Sequence, residues 1–194
     1  MRWQNLFDDL EGQLESELGA EEVDLLAEEE RLRLGRLTLR DRIRAIHAAG
    51  DGSLGVTVRG GERFTVALGA LGRDWFAGEL DAGSLRSAIV PLASVVALDP
   101  VGAQLSASLR VDPAPEPPTA LSARLGLSFV LRDLCRRRAA VELLVGGERL
   151  HGTIDRVARD HLDVAEHAPG EPRRTAAVAR IRIIAFSGLD LVRF

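Results

Sequence analysis

Two rings follow the same dipeptide in different parts of the chain. Trp75 follows Arg73-Asp74, and His161 follows Arg159-Asp160. An exposed ring beside an arginine can stack on a nucleobase, because every base offers a π face and the guanidinium attracts phosphate. The ring can equally cap one end of a small β-barrel, since a chain with only 4% aromatic residues tends to bury them. Both interpretations stay open for each ring and the arginine near it.

Seven arginines fall in two segments whose apolar residues have helical spacing. They are Arg40, Arg42, Arg44, Arg132, Arg136, Arg137 and Arg138. Guanidinium groups donate to phosphate oxygens, so this set is a candidate phosphate-contacting surface. The same groups can instead pair with an acidic N-terminal segment or remain in solvent. The chain contains no lysine, so any single arginine carries less weight as a signal.

The other polar residues do not form a catalytic or metal-binding pattern. His151, His161 and His167 lie near Asp160 and Asp163 in the sequence, but strand alternation would scatter them and no common ligand spacing matches. The chain also lacks a Ser-His-Asp order, a phosphate-binding loop and a dinucleotide fingerprint. We therefore expect no enzymatic activity, no cofactor and no metal.

Cys135 is the only cysteine, which excludes an internal disulfide. It follows Leu131 and Leu134 on the apolar side of its predicted helix, so we expect a small buried hydrophobe rather than a nucleophile. No apolar run reaches the roughly 18 residues of a membrane span. The N-terminus lacks the pattern of a secretory signal. The expected location is the cytoplasm.

Charge divides the chain into an acidic arm and a slightly basic body. Residues 1–36 contain eleven acidic residues and four arginines, a net charge of −7, whereas the remainder carries +3. Leucines at helical spacing predict an amphipathic helix over residues 4–34. Its narrow apolar stripe should lie on a partner surface, which is either this protein's own body or another chain.

A proline-rich linker separates two similar halves. Residues 112–118 contain four prolines in seven positions, which excludes a helix or a central strand. We therefore predict a helical arm over 1–36, a first module over 37–111, a linker over 112–120 and a second module over 121–194.

The two modules repeat each other in sequence. Gly60-Gly61-Glu62-Arg63 recurs as Gly146-Gly147-Glu148-Arg149, and Arg73-Asp74 recurs as Arg159-Asp160, both at an offset of 86 residues. Leu39-Arg40-Asp41 also recurs as Leu131-Arg132-Asp133. The glycine pairs predict hairpin turns. Each module is predicted to contain a short helix and about five antiparallel strands, which would close into a small barrel.

The second module resembles the Sm/LSm/Hfq family of small β-barrels, and bacterial Hfq most closely. Residues 141–157 show a strand, a glycine turn and a second strand that contains Gly152, where a bent strand needs a small residue. The run 178–184 would supply the fourth and fifth strands. Residues 54–98 match more weakly, with Val66 at the place of Gly152. The resemblance implies two tandem Sm-like barrels. In that family, the fourth strand of one module pairs with the fifth strand of the next.

The residues with which that family binds RNA are replaced in this chain. The expected Asp and Asn positions hold Ala158 and Leu162, and no Arg-Gly pair follows Arg174. The Tyr-Lys-His stretch of Hfq corresponds to Val90-Pro91-Leu92 and Ala177-Val178-Ala179. Pro91 lacks an N–H and would interrupt edge pairing of the first module unless its nitrogen faces away from the neighbouring strand. This favours a monomer or a dimer over a closed ring.

These observations favour a nucleic-acid-associated regulatory protein that is not an enzyme. Its partner would be RNA or DNA, bound through Arg73, Trp75, Arg132, Arg136, Arg137, Arg138, Arg159 and His161. The alternative is a protein–protein interaction or assembly module that has lost RNA binding, with the acidic helix as its docking segment.

Overall fold

The computed structural model describes residues 22–50, 52–81, 83–110, 124–171 and 173–194. Within these residues there are four helices and ten strands. The helices are α1 (described over residues 22–35), α2 (Leu39–Ala49), α3 (Gly102–Leu109) and α4 (Leu127–Arg137). The strands are β1 (Ser53–Val58), β2 (Arg63–Leu71), β3 (Trp75–Leu80), β4 (Ser87–Pro91), β5 (Val95–Asp99), β6 (Ala140–Val145), β7 (Glu148–Val157), β8 (His161–Glu166), β9 (Arg180–Ala185) and β10 (Leu189–Arg193).

The strands form one open antiparallel sheet in the order β5-β1-β2-β3-β4-β10-β6-β7-β8-β9. The chain is therefore mainly β with helices, as the sequence predicts. The two halves are joined in the sheet by β4 and β10, where Val192 pairs with Ile89 and Arg193 with Ala88. Where two barrels were predicted, the structure shows one sheet that continues from the first half into the second.

The two halves repeat each other strand by strand. Each half places its fifth strand beside its first, and its first, second, third and fourth strands then follow in order. Trp75 opens β3 opposite Pro91, and His161 opens β8 opposite Ala185. Both fifth strands also carry a register shift after their first residue. Strand residues that match in the sequence repeat therefore occupy equivalent positions in the strand pairing of the two halves.

The predicted fourth and fifth strands of the second half were misplaced. Trp75 and His161 are 86 residues apart, but their partners Pro91 and Ala185 are 94 residues apart. The chain from His161 to its partner is therefore eight residues longer than the chain from Trp75 to its partner, so Pro91 corresponds to Ala185 and not to Ala177. The fifth strand is β10, beyond the run 178–184.

Pro91 does not leave its strand unpaired. The β4 strand meets β10 through Ala88 and Ile89, and Ser87 exchanges backbone hydrogen bonds of 3.3 and 2.9 Å with Phe194. Pro91 lies beyond these pairs, where no donor to β10 is required. The pairing of β4 with β10 therefore forms beside this proline, and β5 and β9 are the edges of the sheet.

Helix α2 is stabilised at both ends by its own sequence. Thr38 Oγ1 accepts a hydrogen bond from the Asp41 backbone at 3.1 Å, while Asp41 accepts one from the Thr38 backbone at 3.0 Å. Gly50 ends the helix with a φ of 69°. Ile43 and Ile46 face the core. The Leu39-Arg40-Asp41 match is not structural, because this tripeptide opens α2 whereas Leu131 lies in the middle of α4.

Two hydrophobic clusters fill the fold, and each uses residues from both halves. The first-half core surrounds Phe76 and includes Leu144 and Leu191 from the second half. The second-half core surrounds Leu131 and includes Trp75 and Ile89 from the first half. Each cluster crosses the sheet junction, so apolar burial stabilises the halves together.

A buried carboxylate also ties the halves together. Asp190 is 1% exposed and accepts hydrogen bonds from Arg59 Nε at 2.9 Å and from the Gly146 backbone at 3.0 Å. Beside it the two glycine turns meet, since a Cβ on Gly60 would lie 2.8 Å from Gly147 Cα. Gly60 and Gly147 have φ values of 82° and 87°, as hairpin turns require, so that prediction is confirmed.

Parts of two predicted segments lie outside the described residues. These are residues 1–21 of the acidic arm and the proline-rich stretch 112–118 with its flanks. Over the part of the chain that is described, no helix combines the length and the apolar character needed to cross a membrane.

Candidate nucleic-acid interface

The C-terminal half of α4 carries a concentration of arginines. Arg136 and Arg137 both pair with Asp133, which lies one helical turn before them. Their side chains remain 79% and 66% exposed, whereas that of Asp133 is 25% exposed. One carboxylate therefore serves two guanidinium groups that face solvent, and this part of the helix keeps a net positive charge.

A second carboxylate near α4 is shared in the same way. Asp155 on β7 accepts two hydrogen bonds from Arg173, at 2.7 and 2.6 Å, and lies 3.8 Å from Arg138. The hydrogen bonds from Arg173 lower the pKa of Asp155 against the opposing effect of burial. The same contact raises the pKa of Arg173. Both groups stay ionised at neutral pH.

Two further arginines extend this surface along the end of β7. Arg132 donates to the carbonyl of Ala158 at 3.4 Å, and Arg156 lies 3.5 Å from Asp163 with 84% of its side chain exposed. We call the whole set the basic surface. It consists of Arg132, Arg136, Arg137, Arg138, Arg156 and Arg173. Six guanidinium groups here meet three carboxylates, so the surface attracts anions.

The three arginines of α2 are held within the first half. Arg40 donates to the carbonyl of Gly72 at 2.9 Å, and Arg42 donates to Ser108 Oγ at 3.0 Å. Arg44 pairs with Asp41 at 3.0 Å. All three are partly buried. They position α2 and α3, and the structure does not place them among the contacts of the basic surface.

Trp75 is buried rather than displayed on the surface. It is 5% exposed, and its indole Nε1 donates to the carbonyl of Leu125 at 3.0 Å. The expectation of an exposed stacking ring is therefore not met, because the second-half core encloses most of the ring. The rest of the ring lines a cavity of about 230 Å³ between α4 and the sheet.

This cavity is apolar with a charged rim. Phe129 stands at its mouth, 53% exposed, and Asp133 and Arg137 of α4 also line it. Its remaining lining is apolar and comes from both halves of the chain. These residues are Ala70, Ala77, Ile89, Val130, Leu134 and Phe194. The structure thus brings two of the predicted site residues, Trp75 and Arg137, to one cavity.

The other predicted site residues lie at the loops before β3 and β8. His161 Nδ1 is 2.8 Å from Asp160 Oδ1, and this contact lowers the pKa of Asp160. Arg73 lies 3.5 Å from Asp74, whose other oxygen accepts from the Leu127 backbone at 2.7 Å and so fixes the start of α4. Arg159 is exposed in the loop before β8.

Four important residues of this region were missed from the sequence, namely Phe129, Asp155, Arg156 and Arg173. Phe129 is one residue in a run of apolar residues, and nothing in that run distinguishes an exposed ring. Asp155 and Arg173 are 18 residues apart across a long loop, so only the fold shows that they meet. Strand alternation could not place Asp155, because β7 has a register shift between Ile154 and Arg156 that interrupts the alternation at this residue.

The described histidines and acids do not assemble a metal site. No group of three or more potential ligands occurs among the described residues. His167 is buried and contacts Thr153 Oγ1 at 3.0 Å, while His151 lies 3.5 Å from Glu142. Cys135 is partly buried, and its Sγ donates to the carbonyl of Asp155 at 3.4 Å.

Known proteins do not identify this chain. No protein family, no curated protein and no solved structure matches it. Its function is therefore argued from its own geometry and charge.

Proposed function

We propose that this chain is a nucleic-acid-associated regulatory protein of the cytoplasm that is not an enzyme. Its body would be a tandem pair of Sm-like modules, and its partner RNA or DNA. The basic surface carries this proposal. Five of its six arginines pair with three carboxylates, and the sixth, Arg132, donates to a backbone carbonyl. Four of the six have side chains that are 66–84% exposed, namely Arg136, Arg137, Arg138 and Arg156. Phosphate contacts of this kind supply most of the affinity of sequence-independent binding.

The pairing of the two halves supports the Sm-like part of the proposal. The resemblance implies that neighbouring modules pair a fourth strand with a fifth strand. In this chain β4 is the fourth strand of the first half, β10 is the fifth strand of the second half, and the two are paired. Binding at the basic surface would use a different place from the family's RNA loop, where this chain has Ala158 and Leu162.

A protein-docking function is the second candidate, and the exposed face of α1 favours it. Val23, Leu25 and Leu26 are 64%, 65% and 59% exposed. An uncovered apolar helix face marks a surface on which another protein can pack. In this alternative the acidic helix is the binding segment, and the two modules serve as its scaffold.

Paired charge variants test the proposed function. The double variant R132Q/R136Q removes two charges from the basic surface, and R63Q/R110Q removes two exposed charges from the first half as a matched control. We expect R132Q/R136Q to weaken binding to a single-stranded oligonucleotide and to reduce the salt slope by about one to two. The control should leave both quantities close to wild type. Equal losses in the two variants would overturn the assignment to this surface.

A further inference from the structure

The cavity beneath Phe129 lies directly beside the basic surface. Arg137 belongs to both, since it pairs with Asp133 on the outside of α4 and lines the cavity mouth. Inside, the cavity is bounded by the ring of Trp75 and the side chains of Ile89 and Leu134. Its volume of about 230 Å³ is below the roughly 300–1,000 Å³ of pockets for larger ligands. The size suits one flat ring system.

A second hollow continues from this cavity along the sheet. It measures about 220 Å³ and shares Ala70, Ala77 and Phe194 with the first. Its floor includes Gly78 and Ala88, so small residues leave space above β2, β3 and β4. The two hollows form one shallow groove that leads away from Arg137 over the joint between the halves.

The groove combines the two features that single-stranded nucleic acids require of a binding site. Arginines outside the cavity can hold phosphates, and apolar rings inside it can accept a base. Bases inside a duplex are stacked and paired, so only a single strand can place a base inside the cavity. An apolar side chain of a partner protein would also fill the cavity, but it would not use the positive charge of the basic surface beside it.

We propose that the cavity lined by Trp75 and Phe129 accepts one unstacked base of a single-stranded nucleic acid, with Arg137 holding the adjoining phosphate. This inference rests on the proposed function, because it assumes that an anionic polymer binds the basic surface. The proposed function requires contacts to the phosphate backbone, and the cavity adds a contact to one base.

Two oligomers of equal charge separate base binding from phosphate binding. One is a single-stranded oligonucleotide, and the other is a phosphodiester oligomer of the same length without bases. We expect Phe129→Ala to weaken binding of the oligonucleotide by roughly 5- to 100-fold, as the loss of one base stack does. Binding of the abasic oligomer should change by less than about twofold. Ile183→Ala, which also truncates an exposed apolar side chain, is the matched control and should change neither.

Ala70→Leu provides a second variant that keeps the Phe129 ring. Ala70 lines both hollows, so a larger side chain there should close the groove. This should weaken binding of the oligonucleotide and leave binding of the abasic oligomer unchanged. In a Trp3→Phe background, Trp75 emission should change with the oligonucleotide and not with the abasic oligomer. Retained melting temperatures of the variants show that the fold is intact.

The outcomes distinguish this inference from the proposed function. If the wild type binds both oligomers equally and neither variant matters, the base site is overturned while the basic surface stands. If an apolar peptide changes Trp75 emission and the oligonucleotide does not, the cavity belongs to a protein partner and the base site is again overturned. If the wild type binds neither oligomer, both proposals fail.

Discussion

Gly152 lies so close to Val164 on the neighbouring strand that a Cβ on the glycine would stand 2.9 Å from Val164 Cγ1. The first half contains the same contact with the two residue types exchanged. There Gly78 takes the place of Val164 and Val66 the place of Gly152, and a Cβ on Gly78 would stand 2.8 Å from Val66 Cγ2. Each half therefore has one glycine and one valine in contact at the same place between its second and third strands.

Replacing Gly152 by valine should destabilise the fold by about 1–3 kcal/mol. The added Cβ would overlap the carbonyl oxygen of Ala165 as well as Val164, so backbone would have to move. The exchange seen in the first half suggests a partial rescue, in which G152V/V164G is more stable than G152V alone. Chemical denaturation measures both effects. Gly102→Val, where a Cβ meets open space, is the control. An unchanged unfolding free energy for G152V would contradict the close approach of β7 and β8.

The Arg59–Asp190 pair should contribute to holding the halves together. Arg59→Ala leaves the buried carboxylate without its charged partner, and we expect a loss of about 1–3 kcal/mol in unfolding free energy. Val96 stands in the first half at the place that Asp190 holds in the second. Adding Asp190→Val to Arg59→Ala should therefore restore part of the lost unfolding free energy. The expected coupling in this double-mutant cycle is about 1 kcal/mol or more. Arg63→Ala, in an exposed pair with Asp99, should cost less than about 1 kcal/mol. Additive effects of Arg59→Ala and Asp190→Val would show that the pair does not join the halves.

Much of the fold can be predicted where the signal is local. The glycine pairs at 60–61 and 146–147 determine their hairpins, and the apolar spacing of α4 places Leu131 and Leu134 in the core. Helix α3 was missed because it is short, rich in serine and alanine, and held in place by the buried side chain of Gln104, which donates to the Ser53 carbonyl at 3.2 Å. Such tertiary support leaves no periodic pattern.

Most of the arginines of the candidate site could be predicted from the sequence, but their contacts with other elements could not. The arginines of α4 and their partner Asp133 are visible in the sequence, but Asp155, which pairs with Arg138 and Arg173, comes from β7. Trp75 was identified as a ring of interest, yet its burial depends on α4 of the second half, which packs over it. The joint between the halves, where the cavity lies, follows from the β4–β10 pairing.

Removing residues 1–36 should raise the affinity for nucleic acid and steepen its dependence on salt. The arm has a net charge of −7, and we expect it to compete with phosphates for the basic surface, so its loss should remove an internal anion. A binding titration of the truncated chain beside the full chain measures the change. The control is a full-length chain with Glu28, Glu29 and Glu30 changed to glutamine, which should show a smaller effect of the same sign. If truncation changes neither quantity, the arm is a docking helix for another protein.

We predict a monomer or a dimer rather than a closed ring. A ring would have to join β9 of one copy to β5 of the next, in the way that β10 joins β4 within the chain. At that joint Val96 would take the place of Asp190, and the glycine pair of the second half is preceded by Val145 instead of Arg59, so the buried ion pair that ties the halves together would be absent. Light scattering over a concentration series measures the assembly, and a stable trimer would contradict the prediction.

The salt dependence of nucleic-acid binding by the full chain shows whether the basic surface binds phosphates. A filter-binding titration with single-stranded RNA and DNA at a series of salt concentrations gives the slope of log affinity against log salt. A surface with three more arginines than carboxylates predicts a slope of about −2 for a single strand. We expect measurable binding that weakens with this slope as salt rises. Absence of binding at low salt, or an affinity that salt does not change, would contradict this expectation.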